Sequence, residues 1–163
     1  MSTQLNENNQ NRTLTESDLK VLRLIQRDLS GSRQETAERA GMSASTLWRR
    51  INELEAQGTI RKRVALLDPV SVGIPICIFL SVNLVDHDLR TRTQFEDFVA
   101  ITPEIMECFS VTGAFDYVLI VRTTSVSAFE QLLMEQILGH KAVAAASSQI
   151  SLRQHKYSTE LPI

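Results

Sequence analysis

The chain has 163 residues, 43% of them apolar, and a net charge of −2, enough for one large domain or two small ones and too little charge for a protein that coats nucleic acid indiscriminately. No apolar run approaches the roughly 18 residues that a membrane helix needs, and the polar, Asn/Gln-rich start lacks the basic and apolar stretches of a signal peptide. Cys77 and Cys108 lie in apolar, strand-like surroundings without C-x-x-C spacing and His87, His140 and His155 are scattered, so buried thiols are expected and no metal site or cofactor is read.

Residues 1–13 read as a disordered arm of a cytoplasmic protein. The charge is split along the chain: residues 1–64 hold 11 Lys+Arg against 8 Asp+Glu, a net of +3, and residues 65–163 hold 6 against 11, a net of −5. A basic half that meets a polyanion, joined to an acidic half that does not, accounts for this split.

The first helix is expected from Thr15, which can cap it while Asp18 reaches back, with Leu14 stapling onto Leu19. Val21, Leu22, Ile25 and Leu29 repeat at helical spacing, and Gly31 marks the end. Ser32-Arg33-Gln34-Glu35 fits an S-x-x-E capping box for a short second helix that stops at Gly41. Ser43 caps a third helix, with Leu47, Ile51 and Leu54 on its buried side and Gly58 at its end. Ser45, Arg49, Asn52 and Ala56 fall on the opposite side, with Trp48 and Arg50 on the flanks.

Two short helices joined by Gly41-Met42-Ser43 form a helix-turn-helix whose second helix reads DNA. Arg49 can fork onto guanine and Asn52 onto adenine. Ser43, Ser45 and Thr46 sit at the helix start, where phosphates and base edges come closest, and Arg50 adds a flanking cation. Trp48 is expected to pack on its own domain rather than touch a base. Thr59 to Val64, with Arg61, Lys62 and Arg63 in succession, suits a wing on the DNA backbone. An ordinary three-helix domain with a solvated polar face is the plain alternative.

Residues 65–75 read as a hinge from Asp68-Pro69 to Gly73-Ile74-Pro75. Ile76, Ile78, Leu80, Val82 and Leu84 then alternate with Cys77, Phe79, Ser81 and Asn83, the pattern of a strand with one apolar face. A helix through Phe95, Phe98, Val99 and Thr102 follows, ended by Pro103. Ile105 to Val111 is a strand, Thr112 to Phe115 a turn, and Asp116 to Thr123 another strand. Phe129, Leu132, Leu133 and Ile137 mark a second helix closed by Gly139, and Ala142 to Lys156 a last, long strand.

The order βαββαβ predicts an α+β, ferredoxin-like domain over 76–163, after a winged-helix-like helix-turn-helix domain over 14–64. Both helices cover one face of the sheet. Cys77, Phe79 and the Tyr117 row are expected to make the other face apolar enough to pair with a second chain. There is no nucleophile elbow, paired carboxylates, GxGxxG or P-loop, so no catalytic residue is read. Asp116 beside Tyr117 after a glycine turn is either a hairpin cap or a ligand contact.

The two halves together resemble the Lrp/AsnC family, the feast/famine regulators, from about Leu14 to Ile163. The resemblance rests on Asp18-x-x-Val21-Leu22-x-x-Ile25-Gln26, on Ser43-x-Ser45-Thr46-Leu47-x-x-Arg50-Ile51-x-x-Leu54-Glu55-x-x-Gly58-x-Ile60, on Ala65-Leu66-Leu67-Asp68-Pro69 and on Val111 through Tyr117. It implies a sequence-specific transcription regulator in control of amino-acid metabolism, with dimers that assemble into octamers or similar discs. The dimers would bind near-palindromic double-stranded DNA in the nucleoid.

It further implies an amino-acid effector held between dimers around Gly113 to Asp116. That turn, with Ala114 and Phe115 inside it, is flanked by Thr112 and Tyr117, and partner-chain contacts come from near Thr124-Ser125 and Ser147-Ser148. Leu138-Gly139-His140-Lys141-Ala142-Val143 departs from the family's Leu-Pro-Gly-Val beside that site. An architectural DNA protein of the same fold without an effector is the alternative function, and an enzyme or enzyme regulatory subunit on the ferredoxin-like scaffold is a third.

Overall fold

The computed structural model describes residues 13–163 and divides them into two compact units: Leu66–His155, and a second unit made of the residues up to Ala65 together with Lys156–Ile163. The expected polar arm, but for Thr13, lies outside the described residues. Each helix of the second unit starts where the sequence supplies a cap. Thr15 and Asp18 form a reciprocal capping box on α1 (Glu16–Ile25), Ser32 and Glu35 another on α2 (Arg33–Ala40), and Ser43 accepts from the Thr46 N–H at the start of α3 (Ala44–Ala56). Val21, Leu22, Ala37, Ala40, Leu47, Ile51 and Leu54 close one core beneath the three helices.

α1 is shorter than its apolar repeat. It ends at Ile25 rather than near Gly31 because the Asp28 carboxylate captures the Ser30 N–H at 2.8 Å and its hydroxyl, a local turn that competes with another helical turn. The segment after α3 is not a paired strand: no strand or helix is present from Arg61 to Asp68. The last eight residues also depart from expectation. The Leu161 backbone exchanges two hydrogen bonds with the Gln26 side-chain amide (2.9 and 3.0 Å), Arg27 pairs with Glu160 and Arg23 donates to the Ile163 carbonyl, so this stretch packs on α1 instead of belonging with the rest of 76–163.

The other unit is β1 (Ile76–Leu84), α4 (Leu89–Ile101), β2 (Ile105–Ser110), β3 (Tyr117–Thr123), α5 (Val126–Gln131, continued by a π-helical stretch Leu132–Ile137) and β4 (Val143–Ile150). The sheet order is β2-β3-β1-β4, with each neighbouring pair antiparallel, the βαββαβ topology that the periodicities predict. Ile78, Leu80 and Val82 of β1 and Leu119 and Val121 of β3 are fully buried against Phe95, Phe129, Leu132 and Ile137 of the helices. Residues directly opposite in a ladder share a face, so Tyr117, opposite Val82, belongs to this covered face.

That corrects one expectation. Tyr117 is 4% exposed, packs on Phe95 with ring centroids 4.9 Å apart and donates from its hydroxyl to Glu96 at 2.9 Å. The uncovered face is instead built from Cys77 and Phe79 of β1, Val118 and Ile120 of β3 and Phe109 of β2, as the register Ser81–Val118–Phe109 and Phe79–Ile120 requires. Phe79 and Phe109 remain 44% and 49% exposed on it. β4 is a shorter strand than Ala142 to Lys156, since its pairing with β1 ends at Ile150.

Candidate functional site

On the three-helix unit, the α3 side opposite the Leu47, Ile51 and Leu54 stripe is open. Ser43, Ser45, Arg49 and Asn52 are exposed there and Thr46 is half-buried. The Ser43 hydroxyl contacts those of Ser45 (3.1 Å) and Thr46 (2.8 Å), so the helix start presents three clustered hydroxyls. Arg49 forms an exposed i,i+4 ion pair with Glu53 at 2.7 Å. A surface pair of this kind contributes about 0.2–1 kcal/mol, so Arg49 leaves it at little cost for a nucleic-acid base.

Arg50 is placed differently. Its guanidinium meets the buried Asp18 carboxylate at 2.8 Å with only 25% of the side chain exposed, so it ties α3 to α1 and does not face the open side. Asp18 in turn accepts from the Thr15 N–H and hydroxyl, and these bonds, with Arg50, hold its carboxyl below the usual range.

Of the three cations after α3, Arg61 and Lys62 are exposed, while Arg63 folds back to pair with Glu55 at 2.7 Å. Trp48 packs on the core of its own unit as expected. Its ring carries the Arg33 guanidinium at 4.8 Å and that of Arg63 at 5.2 Å, and its indole N–H is buried without a hydrogen-bond partner among the described residues. The role of Arg33 had no signal in spacing, because it depends on contact between separate elements.

In the sheet unit, Thr112, Gly113, Ala114 and Phe115 are exposed in the β2–β3 turn. Gly113 has φ +118°, and a Cβ there meets no atom within 4 Å, so any cost of substitution is conformational and not steric. Asp116 anchors the turn. Its N–H donates to the Val82 carbonyl (3.0 Å), and one carboxylate oxygen accepts from the Leu84 N–H (2.8 Å), where the β1–β4 register shifts between Asn83 and Leu84. The other oxygen lies 3.4 Å from His87 Nδ1. Asp116 is thus a structural cap on one side and an accessible acceptor on the other. His87 sits 29 positions away in sequence, and only the fold shows it.

The remaining ligand candidates are not brought to this turn within one chain. Thr124 is exposed and Ser125 N-caps α5, both beyond the end of β3 that pairs with Ile76, whereas the turn joins the end that pairs with Val82. Ser147 and Ser148 are adjacent on edge strand β4 and so point to opposite faces. His140, in the stretch that departs from the family pattern, stacks on Phe98 with centroids 4.9 Å apart. It accepts from the Ala142 N–H at 3.3 Å, and burial and Lys141 keep its pKa low.

The family profile described as Lrp/AsnC ligand binding domain matches residues 77–161, and that described as winged helix-turn-helix DNA-binding matches residues 14–61. The chain belongs to the Lrp/AsnC family. The glutamate uptake regulatory protein of Zymomonas mobilis is 34% identical to it over 93% of this chain and 92% of its own length. The transcriptional activator DecR of Escherichia coli is 27% identical over 92% and 99%. Among solved structures, a transcriptional regulator of Neisseria meningitidis in complex with L-methionine superposes with a TM-score of 0.87 at 33% identity, covering 92% of this chain and 97% of that one.

This Lrp/AsnC protein is therefore a DNA-binding transcriptional regulator with a small-molecule-binding domain. Among the described residues no helix is long and apolar enough to cross a membrane, and no cluster of His, Cys, Asp and Glu can hold a metal ion.

Proposed function

We propose that this regulator binds a free amino acid at the Thr112–Asp116 turn and reads DNA bases through Arg49 and Asn52. The observation that carries the effector reading is Asp116, whose carboxylate spends one oxygen on the Leu84 N–H and leaves the other facing the exposed side beside His87. That oxygen suits an α-ammonium, and the backbone N–H groups of a glycine turn suit an α-carboxylate. The methionine complex of the Neisseria regulator supports an amino acid as the ligand class.

Because Thr124-Ser125 and Ser147-Ser148 lie away from this turn in one chain, the reading places them, with the turn, at a contact between copies. The uncovered sheet face forms the dimer, dimers assemble further, and the two-fold favours near-palindromic sites. The protein works in the cytoplasm, on the nucleoid, and is a regulator without an enzymatic step.

Calorimetry of the full chain against the twenty amino acids, with light scattering for assembly size, tests this. Asp116→Asn keeps an acceptor for Leu84 N–H and removes the charge. It is expected to weaken binding about 10–100-fold, the loss of a charge-assisted hydrogen bond of about 1.5–3 kcal/mol, with thermal stability and basal DNA binding nearly unchanged. Equal binding by both forms makes Asp116 a hairpin cap only. No binding by the parent protein favours an architectural protein without an effector.

A further inference from the structure

We propose that Trp48 is a stacking post that holds Arg33 and Arg63 as a preformed clamp for the DNA phosphate backbone, beside the base-reading side of α3. Three separate pieces of chain meet there: the first residue of α2, the flank of α3 and the segment after α3. The two guanidinium carbons lie 4.8 and 5.2 Å from one ring centroid and hence within about 10 Å of each other. That spacing serves a single phosphate or two successive phosphates of one strand. Arg33 is exposed and has no carboxylate partner among the described residues. Its charge is therefore uncompensated locally, while Arg63 is steadied by Glu55.

As a packing residue Trp48 is a costly choice. Its indole N–H is sealed from solvent with no acceptor among the described residues, a penalty that leucine at the same place avoids. What this position gains from tryptophan is the aromatic ring, and the groups it meets are arginines, whose planar cation stacks on such a ring and still presents N–H donors at its edge. Holding the two side chains before DNA arrives removes part of the ordering cost of binding. The place is right for a backbone contact, since the helix before a recognition helix crosses the phosphates and Trp48 adjoins Arg49 in sequence.

The salt dependence of DNA binding tests the clamp, because each phosphate contact adds about 0.9 to the slope of log K against log salt. The full chain is measured on a duplex that it selects from a randomised pool and on a mixed-sequence duplex. Arg33→Ala is expected to reduce the slope by about 1 on both duplexes. Trp48→Leu reduces it by about 1–2, and Trp48→Phe restores the parent slope.

The preference for selected over mixed DNA stays within about two-fold throughout, whereas Arg49→Ala lowers it. Emission from Trp48, the only tryptophan, shifts on duplex binding in the parent and shifts less in Arg33→Ala. Parent slopes in both Arg33→Ala and Trp48→Leu overturn the proposal and leave Trp48 a packing residue. A slope lost in Arg33→Ala and kept in Trp48→Leu overturns it too, since Arg33 then needs no post. If Trp48→Leu does not fold, the exposed Arg33 decides: an unchanged slope in Arg33→Ala rejects the clamp.

Discussion

Arg50→Ala and Asp18→Ala separate the architecture of the recognition helix from its chemistry. Arg50 and Asp18 meet at 2.8 Å with 25% and 9% of their side chains exposed. Truncating one partner of a buried ion pair costs about 3–5 kcal/mol, and partial exposure of Arg50 brings Arg50→Ala to about 2 kcal/mol. Asp18→Ala also removes the capping box with Thr15, worth about 1 kcal/mol more, and leaves a guanidinium whose Nε is already buried without a partner among the described residues. Asp18→Ala is therefore the worse of the two. The assay is urea unfolding followed by Trp48 fluorescence, which reports on the three-helix unit alone.

The pH dependence has a definite sign. The Thr15 hydroxyl first, then the Thr15 backbone and Arg50, hold the Asp18 carboxyl below its usual range against the opposing effect of burial. The stabilisation is therefore complete above the unfolded value of about 3.9 and is lost as pH falls through the lower folded value. The stability gap between the parent and Asp18→Asn is constant near neutrality and closes only below about pH 4. The opposite result is an Arg50→Ala protein that unfolds within about 0.5 kcal/mol of the parent and loses discrimination between target and random DNA. Arg50 would then be a base-reading residue.

Two further perturbations probe the sheet unit. Gly139→Ala puts a Cβ 2.7 Å from the Glu135 carbonyl oxygen, a backbone atom that cannot swing aside, so a loss of about 1–3 kcal/mol is expected in thermal unfolding. An unchanged melting temperature would show that the π-helical end of α5 relaxes freely. Burial and the nearby Glu96 push the Cys108 thiol up to about 11, so at pH 8 it should resist iodoacetamide in the native state and react on unfolding. Native labelling at the rate of a free thiol would contradict its place against the core.

The fold was legible where one local signal decides an element. Thr15, Ser32 and Ser43 caps fixed three helix starts, and the alternation from Ile76 to Leu84 fixed β1 and its buried face. Errors came where a nonlocal partner or a competing turn wins. Asp28 and Ser30 stop α1 although Leu29 continues its apolar repeat. The alternation of β3 sends Tyr117 under α4, which neighbours in sequence do not reveal. Residues 156–163 read as the end of a domain, yet the Gln26 amide supplies Leu161 with the donor and acceptor of a strand partner. On α3, helical spacing placed Arg49 and Asn52 on the exposed side, where they lie, but it gave Arg50 a flank without showing that Asp18 waits there.

The proposed effector residues were less legible because one chain does not bring them together. Thr112 to Asp116 lie at one end of β3, Thr124-Ser125 beyond the other, and Ser147-Ser148 on edge strand β4, so no periodicity can unite them. A ligand that needs two copies to be enclosed binds the assembled state better than the separated one, and its affinity is then coupled to assembly by mass action. Such coupling can bias the assembly only by the difference in affinity between its two states, about 1–3 kcal/mol in typical regulators. Asp116 suits that task because its backbone and one carboxylate oxygen are fixed to β1 at Val82 and Leu84. A ligand on the second oxygen therefore acts on the end of two central strands rather than on a loose loop.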